Sequence, residues 1–310
     1  MRRWRGIEAT PAGWGRSVIT IGVFDGVHRG HQYIIGRAVA AAHEAGLPSV
    51  VVTFDPHPSA VIRPDHRPAM LTDLDRRAAL LADLGVDGCC VLPFTRQFSQ
   101  LAPDTFVHDL LVGRLHAAHV VVGQNFRFGH KAAGDTALLA ELGSRFGFTV
   151  DPVPLAADSD VAFSSTRIRA ELAAGDVAAA AEILGRPHRV SGPVVHGADR
   201  GGSRLGFPTA NVDYDEHLAV PADGVYAGWL VRGDGQTLPT AISVGTNPTF
   251  AGGARTVEGH VLDFSGDLYD EVVGIDFVSR LRDQVAYDSL PPLIAQMHAD
   301  VARTRKLLAP

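Results

Sequence analysis

The chain has 310 residues, 46% of them hydrophobic and 20% charged, with a formal net charge of −6. This is the composition of a soluble globular protein long enough for two domains, without the basic field of a nucleic-acid or anionic-membrane binder. No apolar run approaches the roughly 18 residues of a membrane span. "MRRWRGIEATPAGWG" lacks the apolar core of a signal peptide, and the only two cysteines, Cys89 and Cys90, are adjacent and cannot build a disulfide framework, so a cytoplasmic location is expected.

The first half alternates two periodicities. "SVITIGVF", opening at Ser17, predicts a buried strand rich in β-branched residues. Ile34, Ile35, Ala38, Val39 and Ala42 then recur at helical spacing, and Gly46 supplies a C-terminal stop, so a helix is expected over 32–45. "SVVVTF", "GCCVLPF", "AHVVVG" and "FTVDPV" read as further strands, with helices over 73–84, 104–115 and 135–146; Pro103-Asp104 looks like a helix start. This order predicts an α/β fold, a doubly wound parallel sheet covered by helices. Two shorter helices follow near 166–174 and 176–184, with Ser165 and Asp176 as candidate N-caps. After "LGRPHR", Leu184 to Arg189, strand-like pieces succeed one another at 189–195, 225–231, 238–244, 256–264 and 271–278. Glycine- and aspartate-rich turns separate them, which reads as a small antiparallel barrel or sandwich. A closing helix is expected over 289–308, and the boundary places one domain at 1–186 and another at 187–310.

Candidate chemistry sits on the turns. "GVFDGVHRGH", Gly22 to His31, falls between a strand and a helix, where open α/β sheets bind ligands and a helix N-terminus offers free N–H groups. His28 and His31 stand three apart at the start of that helix. They read as solvated surface histidines, as a metal pair with His57 as the obvious third ligand, or as an anion site stabilising charge on a transferring phosphorus. The surrounding glycines favour the last. "STRIR", from Ser165, places Arg167 and Arg169 at a helix start suited to bidentate phosphate contact. "GQNFRFG", Gly123 to Gly129, follows a strand, so Asn125 could meet a polar ligand edge while Phe126 and Phe128 stack on a ring or pack the core. "TFDPHP" reads as a rigid loop, structural or substrate-contacting. In the second half, "HGADRGGSRLGFPTAN" offers a basic glycine loop for a phosphate tail, without the G-K-[ST] of a Walker A sequence. Thr209 and Asn211 alternate on a short strand, which gives a plausible magnesium site. Physics of the sequence alone thus gives two ATP-phosphate sites.

"HRGH" with "SSTRIR" resembles the HxGH nucleotidylyltransferase superfamily. With "TFDPHP", "GQNFRFG" and "GFPTAN" the chain resembles, over about 17–305, the prokaryotic bifunctional riboflavin kinase/FAD synthetase family. The resemblance implies an N-terminal module that transfers AMP from ATP to FMN and a C-terminal module that phosphorylates riboflavin. It also implies ATP as co-substrate, Mg2+, and riboflavin, FMN and FAD as substrates and products. His28 and His31 would contact the ATP phosphates. Gly22, Phe24, Asp25, Gly30, Ser164, Ser165 and Thr166 would line that site, and Arg167 and Arg169 would neutralise pyrophosphate. Asp25 would orient the turn or help hold magnesium. Asn125, Phe126 and Phe128 fall at the flavin, with Asn125 where many relatives carry aspartate. In the second module Gly197, Gly201, Gly202, Gly206, Pro208 and Asn247 match nucleotide-binding positions, Thr209 and Asn211 the metal ligands, and Glu258 of "TVEGHVLDF" the catalytic base. Arg280 and Arg282 are flavin-side candidates. The expected partners are therefore small molecules, with no nucleic acid and no membrane, and the oligomeric state is left open. The competing readings are a chain with one working half, another HxGH transferase acting on pantetheine phosphate or nicotinate mononucleotide, and a non-catalytic flavin-binding regulator.

Overall fold

A computed structural model of the chain describes residues 1–11, 13–154, 157–158, 161–196, 207–246 and 255–309. It divides into two compact units, residues 1–68 with 73–164, and residues 69–72 with 165–310.

The first unit is built on β1 (Arg2–Arg5), β2 (Ser17–Ile21), β3 (Ser49–Asp55), β4 (Gly88–Pro93), β5 (Ala117–Gly123) and β6 (Thr149–Val153), in spatial order β1-β4-β3-β2-β5-β6. Every pairing is parallel. Helices α1 (Arg29–Ala45), α2 (Pro58–Ile62), α3 (Leu74–Asp83), α4 (Pro103–Thr105) and α5 (Thr136–Phe146) fall between the strands; β7 (Ala157–Asp158) and β8 (Val161–Ala162) form a short antiparallel pair. Alternate residues of each strand feed opposite faces. Ile19, Ile21, Val120 and Val122 pack toward Phe106, Leu111 and Leu139. Val18 and Val121 pack toward Ala38 and Ala42, and Val51 and Val91 toward Ile35 and Leu81. Apolar side chains on both faces of a parallel sheet are what a doubly wound fold requires.

Two elements differ from the sequence expectation. β1 carries no apolar alternation, because its buried Trp4 stands among exposed arginines at the sheet edge. The helix expected over 104–115 is one α-turn followed by a π-helix, Phe106–Val112. There Gly113 N–H bonds to His108 O at 2.8 Å and Leu115 N–H to Leu110 O at 3.1 Å. Five-residue spacing of this kind is invisible to apolar periodicity, which only requires that Phe106, Val107, Leu110 and Leu111 be buried.

In the second unit α6 (Ser165–Ala174) and α7 (Val177–Leu184) precede β9 (His188–Val195), β10 (Ala210–Val212), β11 (Gly224–Val231), β12 (Thr237–Thr246), β13 (Arg255–Val261), β14 (Val272–Arg282) and α8 (Leu290–Leu307). The strands close as β10-β13-β12-β11-β14-β9, all antiparallel, with β9 pairing β10 to seal the ring. Tyr226, Leu230, Ile242, Val257, Ile275 and Phe277 are fully buried in the barrel. At Gly228 β11 shifts register against β14, and a Cβ would collide with the Asp276 carbonyl, so the bulge needs glycine. α6 and the short segment 69–72 belong to this unit: Ala222 N–H bonds to Leu172 O at 2.9 Å, and Met70 exchanges backbone bonds of 2.7 Å with His217 and Ala219.

α8 is pinned by an ion pair. Arg282 reaches Asp300 through Nε at 3.0 Å and Nη2 at 2.8 Å, Gln296 donates to the same carboxylate at 2.9 Å, and Asp300 is only 6% exposed. Its guanidinium thus serves helix docking. Removing one partner of such a pair leaves a buried charge uncompensated, at a cost of about 3 kcal/mol or more. Arg282→Ala should therefore lower the unfolding midpoint of this unit in urea by an amount matching that cost. An unchanged midpoint would remove the ion pair from the account of stability.

Candidate functional site

Strand order reverses between β2 and β5, because α1 carries the chain from β2 to β3 on one side while β5 pairs β2 on the other. A crevice at the carboxyl ends of strands beside such a reversal is where open α/β sheets bind ligands. Both glycine-bearing motifs of this unit, after Ile21 and after Gly123, fall there.

The turn after β2 has left-handed backbone at Phe24 (φ 50°), Gly26 (φ 80°) and Val27 (φ 39°). For the two non-glycine residues this costs on the order of 1–3 kcal/mol each. Burial holds them in place: Phe24 and Val27 are 3% and 1% exposed in the cluster with Ile35 and Leu81. A Cβ at Gly22 would lie 2.8 Å from the Phe24 ring; one at Gly30 would lie 3.2 Å from the His28 ring and 3.4 Å from Phe163 Cβ. A side chain at Gly22 would displace the Phe24 ring, and one at Gly30 would press on the His28 ring.

His28 is the N-cap of α1, and its Nδ1 accepts the His31 backbone N–H at 3.3 Å. Accepting at Nδ1 leaves the proton of a neutral ring on Nε2. The His31 ring stacks on His28 with centroids 3.6 Å apart and meets the edge of Phe24 at 5.3 Å. Burial, then the charges of His28 and Arg77, hold His31 well below the ordinary imidazole value of 6.5. Its Nδ1 is buried without a hydrogen-bond partner among the described residues. Asp25, 2% exposed, faces Arg77 electrostatically. Sequence reasoning missed Arg77. It is 3% exposed on α3, and Nη1 reaches Val23 O at 3.2 Å, Thr53 Oγ1 at 3.4 Å and Phe54 O at 3.4 Å. The sequence offers only a hint, that Arg77 falls three residues after Leu74 and four before Leu81.

His57 instead caps α2, accepting Ser59 N–H at 3.1 Å. Among the described residues no group of three or more His, Cys, Asp or Glu side chains is placed to hold a metal ion. Burial pushes the thiols of Cys89 and Cys90 up to about 11 and about 12, which removes them as nucleophiles.

The motif after β5 opens on a cleft of about 780 Å³. Phe54, Phe94, Phe98, Phe126 and Phe128 line it, with Arg63, Arg96, Arg127 and Lys131 also in its wall. Phe126 and Phe128 lie 5.6 Å apart and nearly parallel; Phe128, 6% exposed, also packs on Phe106 and so belongs to the core as well. Asn125 is exposed on the turn and is not among the lining residues.

Ser164 ends the first unit, and Ser165 opens α6 in the second, with Thr166 exposed. Arg167 pairs with Glu171 at 3.5 Å, and Arg169 donates to Ala69 O at 2.6 Å.

On the barrel, Asn211 of β10 stands directly opposite Glu258 of β13, which stands opposite Ser243 of β12. All three alternate with buried residues and so share the outer face. Thr209 precedes the strand, half-buried between exposed Pro208 and buried Ala210. A pocket of about 390 Å³ takes in Glu258, Thr256, Ser243, Asp223 and Gln284. Burial raises the Glu258 carboxyl above its ordinary 4.5, opposed by the Thr256 hydroxyl bonded to Oε1 at 3.2 Å. His260 donates to Pro208 O at 2.9 Å. Arg280 is occupied by Asp223 O at 2.8 Å and Ala174 O at 3.3 Å. Gly197, Gly201, Gly202, Gly206 and Asn247 lie outside the described residues.

Comparison with known proteins divides the chain in the same sense. Residues 10–167 match a family model described as FAD synthetase, and residues 184–308 one described as riboflavin kinase. A bifunctional riboflavin kinase/FMN adenylyltransferase of Pseudomonas fluorescens is 42% identical over 94% of this chain and 93% of its own. The protein of the same name from Escherichia coli K12 is 37% identical over 93% and 92%. A crystal structure described as a macrolide-efflux protein from Streptococcus pneumoniae superposes with a TM-score of 0.89 at 32% identity, covering 98% of this chain and 99% of that one. Among the described residues, no helix is long and apolar enough to cross a membrane.

The His31 environment is directly measurable. Its Cε1–H signal should hold the neutral position from about pH 8 down past 6.5, the ordinary imidazole value. A midpoint at or above 6.5 would contradict the burial described here.

Proposed function

The chain belongs to the bifunctional riboflavin kinase/FMN adenylyltransferase family, and from that membership we infer two successive ATP-dependent steps on one flavin. Riboflavin is phosphorylated to FMN at the barrel, and FMN receives AMP at the parallel sheet, giving FAD and pyrophosphate. The observation that carries this reading is the fit of each site to its nucleophile. An alcohol must lose a proton as it attacks phosphorus, and the barrel offers a half-buried carboxylate, Glu258. A phosphate oxygen is already anionic, and the sheet offers hydrogen-bond donors and a helix N-terminus instead.

At the barrel, Glu258 takes the proton of the flavin's terminal ribityl hydroxyl while that oxygen bonds to the γ-phosphorus of ATP and ADP leaves. Burial brings the carboxyl nearer to the reaction pH, which makes it a stronger base than an exposed glutamate. The Thr209 hydroxyl and the amide oxygen of Asn211, the residue paired opposite Glu258, are the groups that would hold Mg2+. They suit an ion that keeps waters and substrate phosphates as its remaining ligands. When bound, it would offset charge on the transferring phosphoryl group.

At the sheet, the FMN phosphate attacks the α-phosphorus of ATP, the bond to the β-phosphate oxygen breaks, and pyrophosphate leaves. His28 donates from Nε2, neutral His31 stacks beside it, and α1 presents its N-terminus to the phosphates. Arg167 and Arg169 are assigned to the departing pyrophosphate, and Ser164, Ser165 and Thr166 to phosphate oxygens. The aromatic cleft is the place for the flavin ring, with Phe126 stacking on it; Asn125, exposed on the turn outside the cleft's lining, is assigned to the flavin by family resemblance alone. The functional boundary is assigned near residue 186, and the cytoplasm is the expected compartment for a chain whose two cysteines are free and buried.

His31→Ala should abolish most AMP transfer to FMN and leave riboflavin phosphorylation intact. Glu258→Gln should lower riboflavin phosphorylation by roughly 10²-fold or more while supplied FMN is still adenylylated. Because Glu258 works as the carboxylate and burial raises it, the acid limb of kcat/KM for phosphorylation should lie above pH 4.5. A wild-type kinase rate in Glu258→Gln demotes that residue to a structural role.

A fragment of residues 187–310 keeps every group assigned to phosphorylation, so it should make FMN and no FAD. It lacks α6 and α7, which pack within the barrel's unit, so it should melt below a fragment of residues 165–310. Equal melting temperatures would show that those helices add nothing to the barrel.

A further inference from the structure

Arg77 is a cation where packing alone would take a hydrocarbon. It sits on the buried face of α3 with Ala78, Leu80 and Leu81, 3% exposed. Burying a charge costs several kcal/mol after relaxation, and a hydrophobic residue of similar volume serves stability as well or better. What arginine adds is a rigid fork of donors. One arm is shared between two loops: Nη1 lies 3.2 Å from Val23 O in the turn after β2, and 3.4 Å from both Thr53 Oγ1 and Phe54 O at the end of β3. Thr53 Oγ1 itself donates to Val23 O at 2.9 Å. The turn so tied contains the left-handed Phe24 and Val27, a conformation that relaxes unless its surroundings over-determine it.

We propose that Arg77 is a positioning residue for AMP transfer, tying the strained Gly22–His28 turn to the end of β3 so that His28 and His31 meet the phosphates in one fixed arrangement. The proposal rests on the adenylyltransferase reading of that site. Electrostatics agree with the geometry. The charge of Arg77 acts on His31, together with that of His28, in the direction that keeps the ring neutral. Asp25, Asp55, Cys89 and Asp73 face the guanidinium and oppose the effect of its burial. Arg77 Nε is buried without a hydrogen-bond partner among the described residues, so fork geometry has been kept at the expense of one unsatisfied donor.

Arg77→Met and Arg77→Lys in the full chain test this. A misplacement of about 1 Å at reacting groups can cost 10²-fold in rate. In Arg77→Met, kcat for AMP transfer should fall by about that factor, KM for FMN should hold, and the His31 Cε1–H midpoint should move up toward 6.5. Riboflavin phosphorylation in the same preparation should be unchanged. Lysine restores the charge and one donor, so Arg77→Lys should return the His31 midpoint and recover part of the rate. Wild-type transfer in Arg77→Met overturns the proposal, as does an identical His31 midpoint in all three proteins. If Arg77→Met loses FMN binding through unfolding, Arg77→Lys decides: a folded lysine variant with lowered kcat for AMP transfer, an unchanged KM for FMN and a low His31 midpoint supports positioning, and one with wild-type transfer counts against it. Should the wild-type chain transfer no AMP, the functional reading fails, while the His31 midpoints still report whether Arg77 sets the turn.

Discussion

A helix leaves its first backbone N–H groups without intrahelical partners, and at α1 one of them is taken by an imidazole nitrogen, His28 Nδ1. That single bond has consequences on both sides. It fixes where α1 begins, it fixes which nitrogen of a neutral His28 carries the proton, and it brings the His31 ring into a stack 3.6 Å away. An aspartate cap would satisfy the same N–H and supply no donor to an anion. The cost lies in the backbone ahead of it, where Phe24 and Val27 are left-handed, and it is offset by burying both side chains.

The barrel meets a different constraint. Its interior is filled by Tyr226, Phe277 and branched aliphatics, so the chemistry proposed for it is assigned to the outer face. There the alternation of a strand places Glu258 beside Asn211 and Ser243 without a dedicated loop. The carboxyl is shielded enough to be raised and is held by Thr256, a residue on the same strand two positions away. Position and basicity thus come from one strand.

Legibility in the sequence followed the range of the interactions involved. The start of α1, the histidine pair and the caps at Asp73, Asp135 and Asp176 depend on neighbours within a few residues. Of these, Asp176 and the histidine pair were readable from spacing alone. Thr209 and Asn211 were legible as a candidate metal pair from their alternation on a strand, whereas the role proposed for Glu258 came from family resemblance; spacing alone makes it one more solvated strand residue. Barrel closure depends on β9 meeting β10, a long-range register, so strand spacing by itself reads as barrel or sandwich, and the expected barrel is the one found. β1 was missed because it has no apolar alternation, and the π-helix was read as an ordinary helix because its buried Phe106, Val107, Leu110 and Leu111 fit helical spacing equally well. Arg77 was missed because periodicity counts an arginine as surface, and only the fold reveals that its face is inside. Arg280 and Arg282 look equivalent in "SRLR", yet one bonds carbonyls around Asp223 and Ala174 and the other holds α8.

On this one chain two different phosphorus atoms of ATP are attacked, the γ by the flavin's alcohol and the α by the phosphate so formed. Incubation of the chain with riboflavin, magnesium and ATP carrying distinguishable labels at the α- and γ-phosphorus tests it in one tube. The expected products are FMN that carries the γ label alone and FAD that carries one γ label and one α label. FAD lacking the γ label, or FMN carrying the α label, would contradict it.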